Sequence, residues 1–193
     1  MGILMVLVVG SLAWSAFLGH RVSQLEKLMT PVKMQKVAQA RQTALRAKFD
    51  LKMAHDQQKY SQQQLNEAEQ LYQVANRKWG TLEASNSLQT MIQKYPDIDR
   101  TGCAVLYVAQ MSQGEDRARY LQDCIDKYHD CFYRDGVQVG VYARFLLAGD
   151  LKQNGEAAKS KALLDEIKSK YPDALDHSGN LLVDSINANM NLK

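Results

Sequence analysis

The sequence predicts an all-α protein whose main body is a stack of helical hairpins. Ala, Leu, Gln, Lys and Glu abound beyond the N-terminus, and these residues form helices readily and strands poorly. Only three prolines occur in 193 residues, and none falls inside a predicted helix beyond residue 32. Three segments also end alike: Lys94-Tyr95-Pro96-Asp97, Lys127-Tyr128-His129-Asp130 and Lys170-Tyr171-Pro172-Asp173. Each ending lies about 15 residues after a glycine (Gly80, Gly114, Gly155), with a helix-like stretch between. A unit returning at this interval marks a repeat array, not a single globular core.

At the N-terminus, Gly2 to Leu18 is a 17-residue run without charge, which meets the lower length limit for a membrane-spanning helix. Trp14 and Phe17 occupy the place of an interfacial aromatic belt, and His20 and Arg21 follow at once. A cleaved signal peptide is the competing reading, with Ser11-Leu12-Ala13 as its small-x-small site. The lack of a basic region before the apolar run favours a retained anchor over residues 1–20. Arg21, Lys27, Lys33 and Lys36 lie just after the span, which predicts a cytoplasmic body, with an extracytoplasmic body as the alternative.

Residues 21–64 read as a basic helical stalk. Between residues 21 and 60 there are nine Lys or Arg against three acids, a local charge of +6 within a chain of net charge +3. Residues 61–193 therefore sum to −3. Such a segment beside a span is expected to attract anionic lipid, so residues 3–18 and the stalk are the predicted lipid contacts. Apolar residues recur at steps of three and four: Met34, Val37, Leu45, Phe49, Met53. Lys36, Arg41 and Lys48 break a clean heptad, which argues against a long coiled coil. An exposed stalk is the leading expectation, and packing of its stripe on the repeats is the other.

The repeat body spans 65–175. Each glycine supplies a tight turn between two helices. The predicted first helices are Leu65 to Trp79, Gly102 to Ser112 and Val139 to Gln153. The second helices present Leu88, Met91 and Ile92, then Leu121, Cys124 and Ile125, then Leu163, Leu164 and Ile167. Pro96 and Pro172 stop the first and third units, whereas His129 stands in the second. Cys131 to Val139 (CFYRDGVQV) reads as an insert between the second and third units, with Asp135-Gly136 as its turn. Residues 176–193 read as a capping helix started by Asp176 or Ser178, covering the last apolar face.

A turn glycine, an amphipathic second helix and a closing proline over about 34 residues resemble the tetratricopeptide repeat. That family's glycine precedes its closing proline by 17 positions. Gly155 to Pro172 matches, Gly80 to Pro96 is one short, and Gly114 to His129 is two short. The tyrosine before the proline resembles the variant in bacterial envelope proteins, and one span followed by such repeats is similar to bacterial inner-membrane scaffolds. The resemblance implies a groove lined by the first helices. Tyr107, Gln110, Tyr142, Phe145 and Lys152 are its expected partner-binding residues. Phe132, Tyr133 and Asp135 of the insert are a second candidate contact.

No motif for catalysis accompanies the repeats. G-x-S-x-G, H-E-x-x-H, a phosphate-binding loop and C-x-x-C are all missing. Cys124, His129 and Cys131, with Cys103, have no standard zinc spacing, so no metal or other cofactor is expected. An odd count of three cysteines is not a disulfide framework, although a Cys124–Cys131 or Cys103–Cys124 bridge is open in an oxidising compartment. Apart from Phe49 and Tyr60 the basic segment lacks interleaved aromatics, no nucleic-acid motif accompanies it, and nothing points to a small-molecule substrate. The expected function is a non-enzymatic, membrane-tethered scaffold that recruits protein partners. The alternative is a structural accessory subunit of a larger membrane complex, held by its span and stalk.

Overall fold

A computed structural model describes residues 32–190, and the chain divides into two units between Arg41 and Gln42. The described part of the first unit, 32–41, is helical and almost wholly exposed. The second unit carries the repeats. Among the described residues there are eight helices and no strand, only two isolated β-bridges. The protein is all-α.

Helix α1 (32–59) includes most of the expected stalk. From Gln42 onward it is not a free rod. Leu45, Phe49, Met53 and Asp56, at steps of four, four and three, turn one face toward the repeats, and Leu45, Phe49 and Asp56 are buried. Of the two expectations for this segment, packing holds there. The remaining helices are α2 (Gln62–Arg77), α3 (Leu82–Lys94), α4 (Asp99–Met111), α5 (Gly114–Asp126), α6 (Val139–Gln153), α7 (Ala157–Lys170) and α8 (Leu182–Met190). α2 packs on α3, α4 on α5 and α6 on α7, and each pair packs on the next, as stacked hairpins do. Ser61 opens α2 with a reciprocal capping box to Gln64, and Thr81 caps α3 through the Ala84 N–H. Gly80, Gly114 and Gly155 all take the positive φ that the turns demand.

The expected localisation is corrected here. No helix among the described residues is long and apolar enough to cross a membrane, which argues against a single-pass membrane protein. α1 carries Lys33, Lys36, Arg41, Arg46, Lys48, Lys52 and Lys59, a density of charge that hydrocarbon rejects. The apolar run Gly2–Leu18, on which the bacterial inner-membrane reading rested, lies outside the described residues.

Two further expectations change. Cys131–Val139 is not a lone interruption, because the third unit is followed by the same device. Phe132 bridges Gln138 in one hairpin and Leu175 bridges Leu181 in the other. The closing bonds match as well: Val139 N–H donates to Cys131 C=O at 2.9 Å, and Leu182 N–H to Ala174 C=O at 2.9 Å. Gly136 (φ 92°) and Gly179 (φ 81°) make the two turns. The second hairpin consumes residues expected in the last helix, so α8 begins at Leu182. Asp176 serves the hairpin turn instead of a helix cap, accepting from the Ser178 and Asn180 N–H groups at 2.9 and 2.8 Å.

Three clusters hold the fold. The largest runs through α2 to α6 around Leu88, Met91, Leu106 and Leu121. α4 is its centre, with nearly every residue from Thr101 to Ala109 buried. A second joins Val141, Ile167, Leu182 and Ile186 at the C-terminal end. A third lies under α1, where Leu45 and Phe49 meet Phe132 and Leu175. Burying each such side chain contributes roughly 1.5–3 kcal/mol. Cys103, Cys124 and Cys131 are free and buried.

Candidate functional site

α2 and α4 lie side by side, and on one face they set Tyr72, Asn76, Tyr107 and Gln110 at helical steps of four and three. The first hairpin adds Tyr133, Arg134 and Asp135, and the tip of the second adds His177. Together with Gln73, Trp79 and Arg100 these residues line a cleft of about 480 Å³.

Aromatic rings form its walls. Tyr72, buried in the core, stacks beneath Tyr107 at 5.2 Å between centroids and 11° between planes. Trp79 stands nearly perpendicular to Tyr107, edge to face, at 5.0 Å between centroids. Tyr107 also reaches Tyr133 (6.4 Å), Tyr133 meets His177 edge-on (4.7 Å), His177 meets Tyr142 (5.0 Å) and Tyr142 meets Phe145 (6.2 Å). Seven rings thus run without a break from the α2–α3 turn to α6. Such pairs contribute about 0.5–1.5 kcal/mol each beyond the area they bury, so the row is stiff; Tyr72 and Tyr133 anchor it in the core and the other five rings reach the surface.

Polar groups fix the rings. The Tyr107 hydroxyl donates to Asn76 Oδ1 at 2.8 Å, and the Tyr133 hydroxyl to the Cys103 carbonyl at 3.3 Å. Arg100 sits over Tyr72 at 4.6 Å and pairs with Glu69 at 2.9 Å. His177 Nδ1 and Asp135 Oδ2 are 2.8 Å apart, joining the two hairpins. Burial alone would raise the Asp135 carboxyl, but hydrogen bonds from His177 and the Val137 N–H hold it below the ordinary carboxylate range. Burial pushes the Tyr133 phenol far above its ordinary value, so it stays a neutral donor.

No known protein family, curated protein or solved structure matches this chain. The geometry therefore carries the functional argument alone.

The expected groove residues fall in two places. Tyr107 and Gln110 line the aromatic cleft. Phe145 and Lys152 line a separate hollow of about 570 Å³ with Leu146, Leu164 and Ile186. Tyr142 lies between the two, half-buried, with its ring on His177 and Phe145. Of the hairpin residues, Tyr133 and Asp135 border the cleft, whereas Phe132 is buried under α1 with Lys48 Nζ 5.8 Å over its ring. Sequence reasoning missed Tyr72, Asn76, Trp79, Arg100, Arg134 and His177. The helix step was the available signal, because Tyr72 and Asn76 share a face just as Tyr107 and Gln110 do. Nothing in the sequence alone places His177 against Tyr133, which lies 44 positions earlier.

At the start of α4, next to Arg100, lies a pair of buried acids. Asp56 of α1 accepts from the Asp99 N–H at 2.9 Å, and Asp99 in turn accepts from the Phe132 N–H at 3.2 Å. Burial is the main cause that pushes Asp99 up to about 7. The neighbouring Asp56 adds to the rise, and the Phe132 N–H and the Cys131 thiol oppose it. These acids tie α1, α4 and the first hairpin together. Among the described residues no cluster of His, Cys, Asp and Glu is arranged to hold a metal ion.

Proposed function

We propose that this protein is a non-enzymatic interaction scaffold, a short tetratricopeptide-like stack that captures a segment of a partner protein. The face built by α2, α4 and α6 is the binding face. The observation that carries the proposal is the unbroken row of seven rings, from Trp79 to Phe145, flanked by amides and charges. Rigid aromatic surface beside polar groups is the composition of protein-binding hot spots. Catalytic machinery usually pairs a nucleophile with a base, and this cleft has His177 beside Asp135 but no Ser, Thr, Cys or Lys among its lining residues.

The test is capture by the full chain, followed by identification of the retained proteins. Tyr107→Ala and Tyr142→Ala together should abolish retention of the specific partner while circular dichroism stays unchanged. A substitution outside the cleft, Ala158→Glu at an exposed position of α7, should leave retention intact. Unchanged capture by the double variant would refute the binding-face assignment.

A further inference from the structure

We infer that the aromatic cleft takes an extended, proline-containing segment in the polyproline II conformation, with a carboxylate side chain that meets Arg134. The inference rests on the interaction reading above and names the chemistry of its partner.

The lining comes first. The cleft is walled by Tyr72, Trp79, Tyr107, Tyr133 and His177, with amide and charged side chains between them, and no aliphatic residue lines it. An amphipathic helix needs a groove that accepts Leu, Ile or Val anchors at i, i+3 and i+4, and this cleft has none to offer. An added β-strand needs an exposed sheet edge, and the described residues hold no sheet, only two isolated β-bridges. Prolyl rings, by contrast, pack flat against Tyr and Trp. The Trp79–Tyr107 pair, nearly perpendicular at 77°, presents the half-exposed indole to such a ring. It is pre-formed: Tyr72 supports Tyr107 from beneath and Asn76 holds its hydroxyl. Trp79 remains 50% exposed.

The hydrogen-bonding capacity fits the same occupant. A polyproline II segment has no internal hydrogen bonds, so its carbonyls face outward and seek donors. Among the described residues, the Trp79 indole N–H, the Gln110 carboxamide and the Arg134 guanidinium have no partner, and all three border the cleft. The other lining amides are engaged: Gln73 donates to Glu69 at 2.6 Å and Asn76 to Gln73 at 3.1 Å.

Charge then selects among proline-rich segments. Arg100 is offset by Glu69, and Asp135 faces His177 at 2.8 Å. Arg134 is the one uncompensated charge lining the cleft among the described residues. A carboxylate on the segment gives it a bidentate partner, whereas a basic segment leaves it repelled.

The experiment uses the full chain and four classes of fluorescent decapeptide: acidic with three prolines, the same with Glu→Gln, the same with every Pro→Ala, and an acidic amphipathic helix former. Fluorescence anisotropy should show the acidic proline peptides binding about tenfold tighter than either single-feature change. Trp79→Ala and Arg134→Ala should each weaken that binding about tenfold. Arg134→Ala should also erase the difference between Glu and Gln peptides. Both positions are solvent-facing, and circular dichroism checks that the variants fold. If the helix former or the proline-free peptide binds best and Trp79→Ala abolishes it, the polyproline inference falls while the interaction reading stands. If acidic proline peptides bind with no dependence on Trp79 or Arg134, the cleft is not their site and the inference is overturned. If no class binds, the inference is again overturned, and the capture test with Tyr107 and Tyr142 decides the interaction reading separately.

Discussion

Replacing Asp99 by asparagine should make the protein's stability less dependent on pH between about 5 and 8. The carboxyl is 3% exposed at the start of α4, where it accepts from the Phe132 N–H. Burial, with Asp56 close by, raises it from 3.8 to about 7 in the folded state. In the unfolded chain it ionises at its ordinary value. Between those two values the folded protein holds a proton that the unfolded chain has released, so stability falls as pH rises through this window. At 1.36 kcal/mol per pH unit, a rise from 3.8 to about 7 corresponds to ~4 kcal/mol between pH 4 and 8. Lys52, Asp56 and Cys131 lie around the group and respond to its charge, so about half that figure is expected for the variant. The carboxamide of the Asp99→Asn variant keeps an oxygen for the Phe132 N–H and loses the ionisation. Asp130 and Asp135, both held below their ordinary values, act with the opposite sign, and their contributions are lost only as pH falls below about 4. Urea unfolding followed by circular dichroism at several pH values measures the effect. Wild type should lose stability from pH 5 to 8 relative to Asp99→Asn, and the variant should be the more stable at pH 8. Parallel curves for the two proteins would refute the assignment of a buried, proton-holding Asp99.

Two glycines of α6 should respond oppositely to the same change. A Cβ on Gly140 would lie 2.4 Å from His129 Cα, a backbone atom that cannot step aside, so Gly140→Ala should cost about 1–3 kcal/mol in urea unfolding. Gly149 is exposed with nothing within 4 Å of the same position, and Gly149→Ala should gain about 0.5–1 kcal/mol. Leu121→Ala in the main core should cost about 2–5 kcal/mol, because Leu121 is fully buried beside Cys124. Burial raises all three thiols above their ordinary value. A thiol-reactive aromatic disulfide should therefore react slowly at neutral pH in the folded protein and label three groups in urea. Rapid labelling of the native protein would contradict their burial.

Much of the fold is legible in the sequence because repeats expose their own period. The positive-φ glycines, the buried Leu88, Met91, Leu121 and Ile167, and the start of α6 at Val139 all follow from a helical step and a turn residue. The hairpins were half-visible. Asp135-Gly136 signals a turn, but Ser178-Gly179 repeats it with different neighbours, and the shared pattern is backbone pairing that side-chain identity does not announce. The site was less legible. Tyr107 and Gln110 emerge from helix geometry, whereas Trp79 looks like an ordinary turn residue and His177 reaches the cleft only through the second hairpin. Such juxtapositions depend on tertiary packing, which no local pattern encodes. Phe132 shows the converse: an aromatic that looks like a contact is spent on holding α1.

The spacing along α1 explains why one helix can fasten three repeat ends. Lys59 Nζ pairs with Asp97 at 2.6 Å, and Lys52 pairs with Asp130. These are the aspartates that close the first and second Lys-Tyr-x-Asp endings. Seven residues separate the two lysines, about 10.5 Å at 1.5 Å per residue, close to the 8–10 Å between packed helices. Two helical turns of α1 therefore match one step of the stack. The buried face keeps the same interval: Asp56 meets Asp99 just after the first ending, and Phe49, seven residues earlier, meets Phe132 just after the second. Leu45, one turn before Phe49 on the same buried face, lies in the cluster that holds Leu175, just after the third ending. The docking face of α1 thus holds as many stations as the body has repeat endings. The individual surface pairs are worth little, about 0–1 kcal/mol each, so the register is set by the buried stations at Leu45, Phe49 and Asp56, with the lysines adding selectivity against a one-turn slip.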